Sequence, residues 1–195
     1  MSSEDPHVSQ TSHTPEPAEP AAAAPVVLQG PMAFTLALAV IVTDQISKFW
    51  ILGSVFPAAC QPFVATPAYY TPCSIPVFGP LNLSMVWNQG VSFGLFRGEA
   101  DWVRWVLVAF SLCVAVALGV WARKVDRPLL GAAIGLIMGG AIGNLIDRVR
   151  LGAVADFLDL QALYFPWVFN IADSAITIGA VCLILDEFLR VRKRG

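Results

Sequence analysis

The stretch Gly139–Ser174 reads GGAIGNLIDRVRLGAVADFLDLQALYFPWVFNIADS, and the rest of the chain is organised around it. An apolar, glycine-spaced run ends in Asn144, Asp147 and Arg148. A broken passage carrying Asp156 follows, and a second apolar run opens with Asn170 and Asp173. Acids inside or at the edges of long apolar runs are costly in a bilayer, and such residues point first to a functional site.

Composition sets the class. Of the 195 residues, 56% are hydrophobic and only 13% charged. A soluble domain carries about a quarter charged residues, so a membrane protein is expected. The net charge of −2 hides an asymmetry: residues 1–30 hold four acids (Glu4, Asp5, Glu16, Glu19) and no Lys or Arg, leaving +2 for the remainder. No basic block suggests nucleic acid. The two histidines, His7 and His13, both lie in this first segment, so the apolar part has none for a Ser–His pair or a histidine metal site. The four cysteines form no CxxC pair, and neither a metal nor another cofactor is expected. Cys113 and Cys182 sit in apolar runs as packing residues, whereas Cys60 and Cys73 share a loop and could pair in an oxidising compartment.

Residues 1–30, rich in Pro, Ala, Ser, Thr and Glu, form a tail too polar to fold. Residues 31–195 form one membrane domain, with spans at about 32–53, 102–121, 129–148 and 168–189. In the first span Asp44, Ser47 and Lys48 share a helix face, either as a self-neutralising pair or as a polar face turned to a site. Between the first two spans, Leu81, Leu83, Met85 and Trp87 alternate with Asn82, Ser84, Val86 and Asn88, a strand period. Gln89–Gly90 supplies turn chemistry and Val91, Phe93 and Leu95 resume the alternation, which predicts a small hairpin or sheet resting on the membrane surface, with Asn88 at its turn. In the third span Gly131, Gly135, Gly139 and Gly143 recur every four residues and suit close helix packing, while Gly140, Asn144 and Arg148 form a neighbouring row. The fold class is therefore an all-α membrane protein: four transmembrane helices with a small extracytoplasmic β element.

Four spans put both termini on one side. The basic loop Arg123–Arg127 and the basic C-terminus, from Arg190 to Arg194, place that side in the cytoplasm. The polar half of span one, the end of span three and the start of span four then fall in the outer leaflet, with Asp173 roughly 8 Å inside its helix by a rise of about 1.5 Å per residue. Asp44, Lys48, Asn88, Asn144, Asp147, Arg148, Asp156, Asn170 and Asp173 converge on one layer. Two carboxylates brought close together share a proton, and such a pair can act as general base and general acid. The same acids also fit a small proton- or ion-coupled transporter. A Ser–Lys arrangement through Lys48 with Ser47 or Ser92 stays open as well.

The segments TDQISK (Thr43–Lys48), WNQGVSFG (Trp87–Gly94), GGAIGNLIDR (Gly139–Arg148), GAVADF (Gly152–Phe157) and FNIADS (Phe169–Ser174) resemble, in order, the motif set of bacterial lipoprotein signal peptidase, signal peptidase II, over about residues 32–190. The resemblance implies an intramembrane aspartic endopeptidase of the bacterial inner membrane. Its substrates would be diacylglyceryl-modified prolipoproteins, cut on the amino side of the lipidated cysteine. It places the catalytic aspartates at Asp156 and Asp173 and supporting or substrate-binding positions at Asp44, Lys48, Asn88, Gly140, Asn144, Arg148 and Asn170. Asp147 is read as structural, and Asp159 and Asp101 as solvated surface acids. Partners are the prolipoproteins and membrane lipids, with the protein working as a monomer. Ala153 departs from the bulkier or polar residue common in the family, and leaves the following aspartate in register.

Overall fold

The computed structural model describes residues 28–56, 74–90 and 101–193. Helix α1 (Gly30–Trp50) runs on into a π-helical turn, Ile51–Val55. Helix α2 spans Asp101–Ala122, α3 Pro128–Leu151 and α4 Ile171–Arg192. The α1 stretch Gly30–Val55, the α2 stretch Trp102–Ala122 and helix α3 are long and apolar enough to cross a membrane. Helix α4 is as long, at 22 residues, but Asp173, Asp186, Glu187, Arg190 and Arg192 dilute its apolar run. The predicted tail ends earlier than its composition suggests, since Gln29 already donates its backbone N–H to the Val125 carbonyl at 2.7 Å.

Helix α3 is the hub, packed against all three other helices. Its sequence permits this because one face is nearly all backbone. A Cβ at Gly135 would meet the Ala33 carbonyl oxygen at 2.6 Å, and one at Gly139 the Ala37 oxygen at 2.7 Å. The four-residue glycine row is therefore the seat of α1 on α3, and the close approach it allows supplies van der Waals contact that lipid tails cannot displace. At the far end of the bundle, the buried Asp186 of α4 pairs with Arg127, just before α3.

Four short strands form an antiparallel sheet in the order β1-β2-β3-β4: Ser74–Phe78, Leu81–Asn88, Val154–Asp159 and Val168–Phe169. The expected surface β element is a sheet, with different neighbours for β2 than the sequence suggested. Strand β2 turns back through Gly79, at φ 51, onto β1, and its other side pairs with β3. Asn88 is thus the last residue of a strand opposite Val154, while Val91–Leu95, Ser92, Cys60 and Cys73 lie outside the described residues. The passage read as broken coil hides β3 because its residues are buried almost throughout, which removes the alternating pattern that marks a half-exposed strand. Beneath the sheet, Met85, Ala155 and Phe157 pack on Ile51 and Phe56 and so tie it to the end of α1.

Candidate active site

Each acid reaches the site from a different element. Asp44 lies fully buried in α1, with Lys48 one turn on, and Asp44 Oδ2 meets Lys48 Nζ at 2.8 Å. The pair neutralises itself and is also turned toward polar side chains of α3. Lys48 also contacts Asp147 Oδ2 of α3 at 2.8 Å and donates to Asn144 Oδ1 at 3.3 Å, while Asp44 Oδ1 accepts the Ala172 backbone N–H at 3.0 Å. One buried cation thus serves two carboxylates from two helices, and α4 is pinned to α1 through its own backbone. A lone charge in such a place would cost several kcal/mol, so the grouping is held together by its mutual pairing.

Two asparagines carry the polar network outward from this base. Asn170, fully buried, is the N-cap of α4. Its Oδ1 accepts the Asp173 N–H at 2.8 Å, and the Asp173 carboxylate accepts the Asn170 N–H at 3.4 Å, a reciprocal capping box. The same Asn170 side chain donates Nδ2 to Asp156 Oδ1 at 2.7 Å and to Asn144 Oδ1 at 3.1 Å. Asn144 in turn donates Nδ2 to Asp173 Oδ1 at 2.7 Å. Asp156 and Asp173 are therefore bridged by two amides that bring both carboxyl groups into one hydrogen-bonded unit.

Asp156 sits on β3, and not on an irregular loop as expected. Asn88, from the neighbouring β2, donates to its second oxygen at 3.0 Å. Burial raises the Asp156 carboxyl from its ordinary 3.8 to about 7, and the charge of Asp173 acts in the same direction. The hydrogen bonds from Asn88 and Asn170 and the charge of Lys48 oppose the rise. Asp156 is thus poised to hold or release a proton near neutrality. Asp173 lies in the first turn of α4, shallower than predicted, because Val168 and Phe169 pair with β3 and delay the helix to Ile171.

The structure brings Asp44, Lys48, Asn88, Asn144, Asp147, Asp156, Asn170 and Asp173 into this one hydrogen-bonded network. Arg148 joins electrostatically: its charge interacts with those of Asp173, Asp156 and Asp147, and its Nε makes no hydrogen bond among the described residues. Gly140 contributes space, since a Cβ there would sit 2.4 Å from the Ala172 carbonyl oxygen. Asp147 also accepts the Ala155 backbone N–H at 3.2 Å, which fixes β3 beside α3. Ser47 donates to the Asp44 backbone carbonyl at 2.7 Å, so its hydroxyl serves the helix and not Lys48. Asp159 corrects its assignment as a solvated acid: it is buried, accepting from Ser84 Oγ at 2.6 Å and from the Gln161 N–H at 2.9 Å. Sequence reasoning also passed over Gln45, whose amide donates to Asp44 at 3.2 Å, Asp147 at 3.0 Å and the Gly143 carbonyl at 3.3 Å. Its place three residues before Lys48, on the same face, was the available signal.

Two carboxyl groups bridged by buried amides at one end of an apolar bundle suit the class of intramembrane hydrolases and ion carriers. Comparison with known proteins narrows it. Residues 36–189 match the family model of signal peptidase (SPase) II, and the protein belongs to that family of peptidases. It is 51% identical over 167 residues to the lipoprotein signal peptidase of Caulobacter vibrioides, a match that takes in 84% of this sequence and 90% of that one. It is 44% identical over 151 residues to the lipoprotein signal peptidase of Methylorubrum extorquens, taking in 77% and 81%. A solved bacterial membrane enzyme shares its fold with a TM-score of 0.67 at 26% identity, over 85% of this protein and 92% of the other.

Proposed function

We propose that this protein removes the signal peptides of prolipoproteins by an aspartic mechanism, with Asp156 and Asp173 as the catalytic pair. The observation that carries the reading is the pair itself. Asp156 is joined to Asp173 through Asn170 and Asn144, and burial pushes its carboxyl up to about 7. Asp156 carries the proton and donates it to the scissile carbonyl oxygen, while the Asp173 carboxylate takes a proton from the attacking water. Collapse of the tetrahedral intermediate returns a proton to the leaving amine and resets the pair.

The substrate is a diacylglyceryl-modified prolipoprotein, cut on the amino side of its lipidated cysteine. Its acyl chains anchor that cysteine at the outer leaflet of the inner membrane, the depth at which the pair lies if both termini are cytoplasmic and α4 is the fourth span. One polypeptide supplies every residue of the network, in keeping with a monomer surrounded by lipid. Asn88 orients Asp156, donating to its second oxygen from the adjacent strand β2. The transport reading is set aside, as the family is one of peptidases.

The test is cleavage of a purified lipidated prolipoprotein by the wild type, Asp156→Asn and Asp173→Asn. Both variants are expected to lose activity by at least about a thousandfold while staying folded. Full activity in either one would remove the pair from the mechanism.

A further inference from the structure

Helix α2 carries none of the acids or amides of the site, yet one of its residues reaches it. Arg104, in the first turn of α2, donates Nε to the Arg148 carbonyl at 2.6 Å and Nη2 to the Val149 carbonyl at 2.8 Å. These are carbonyls of the last turn of α3, where partners within the helix run out. Gly152, in a left-handed conformation at φ 80, closes the same end through a longer 3.2 Å bond to the Arg148 carbonyl. Arg104 thus caps the C-terminal end of α3 from a different helix, its planar fork matched to two adjacent carbonyl oxygens. A cation there also meets the negative end of the α3 dipole.

We infer that Arg104 is a positioning residue that holds the last turn of α3, and with it the Arg148 guanidinium, against the carboxylate pair. The inference rests on the reading of Asp156 and Asp173 as the working pair. Arg148 has little else to fix it: its described hydrogen bond is a 3.4 Å contact to the Asn144 carbonyl. Its charge interacts with those of Asp173 from α4, Asp156 from β3 and Asp147 from α3, while Lys48 of α1 pairs with Asp147 and Arg104 of α2 binds the Arg148 carbonyl. When the last turn frays, the guanidinium moves away from the pair. The positive charge that favours ionised carboxylates then weakens, and the proton of the pair is held to higher pH.

The experiment compares Arg104→Gln, Arg104→Lys and Leu118→Ala on the lipidated prolipoprotein, with Asp156→Asn as a reference. Leu118 packs in the α2–α3 contact remote from the site and serves as a control for simple destabilisation. Arg104→Gln is expected to lower kcat about 10- to 100-fold with KM within about twofold, the scale of a misplaced catalytic group. Its activity at pH 8 relative to pH 6 should rise about threefold over the wild type. Arg104→Lys, able to reach one carbonyl at a time, should recover about half of the logarithmic loss in kcat. The inference is overturned if Arg104→Gln keeps wild-type kcat, or if its loss matches that of Leu118→Ala with an unmoved pH profile. Should Arg104→Gln not fold, the pH profile of Arg104→Lys decides in the same way. An active Asp156→Asn would instead strike at the catalytic pair and not at Arg104 alone.

Discussion

Replacing Asn170 by alanine cuts the bridge between the two acids at its centre. The side chain accepts from Asp173 N–H at 2.8 Å, donates to Asp156 at 2.7 Å and donates to Asn144 at 3.1 Å. Loss of the N-cap costs about 1 kcal/mol, and loss of a hydrogen bond to an ionisable carboxyl about 1.5–3 kcal/mol more. The combined destabilisation should be about 2–4 kcal/mol, since contributions inside one network do not simply add. Activity should suffer further, because Asp156 loses a donor that favoured its ionised form and Asp173 loses its link to Asp156. A drop in kcat of about a hundredfold is expected, with the alkaline fall in activity moved to higher pH. Asn170→Ser separates the two roles: its hydroxyl can still cap α4, so about 1 kcal/mol of stability returns while kcat stays low. Asn170→Asp keeps the cap but sets a third carboxylate beside Asp156, and should be the least active of the three. Thermal unfolding in detergent and kcat over pH 5–9 would be measured together. If Asn170→Ala matched the wild type in both, the bridging role assigned here would be wrong.

Two further outcomes follow from the same geometry. Because Asp156 is protonated below about 7 and is the proposed proton donor, kcat/KM for the wild type should decline as pH rises through that region. A profile flat from pH 6 to 9 would argue against Asp156 as the acid. Lys48→Met strands two buried carboxylates, Asp44 and Asp147, and should cost about 3–5 kcal/mol in unfolding measurements. Adding Asp147→Asn should return part of that loss, and strict additivity of the two substitutions would contradict the shared ion pair.

How much of this was legible in sequence differs element by element. Three apolar runs and the glycine spacing announced α1, α2 and α3, because bilayer length and close packing leave direct marks on residue choice. The convergence of Asp44, Asn144, Asp156, Asn170 and Asp173 was also legible, since topology alone puts their segments at one level. Strand β3 was not. Asp156 sits among residues that are nearly all buried, so no alternation betrayed it, and its partner strand lies about 70 residues back. The turn at Gly79 was missed because β1, SIPVF, carries a proline that argues against a strand, and an edge strand is where one is tolerated. Arg104 escaped notice because it binds backbone carbonyls, which carry no side-chain signature, and Asp159 was misjudged because its partner Ser84 is on a distant strand.

The bond from the Ala172 N–H to Asp44 joins residues 128 positions apart, and it makes the last helix the closing member of the site. During synthesis α1 enters the membrane with an acid lacking its final partner, and the Asn170–Asp173 pair arrives only when α4 does. On the proposed assignment, a polypeptide halted before α4 holds Asp156 without Asp173, and is expected to leave a signal sequence uncut. Under that assignment the site is completed only when the last helix is in place.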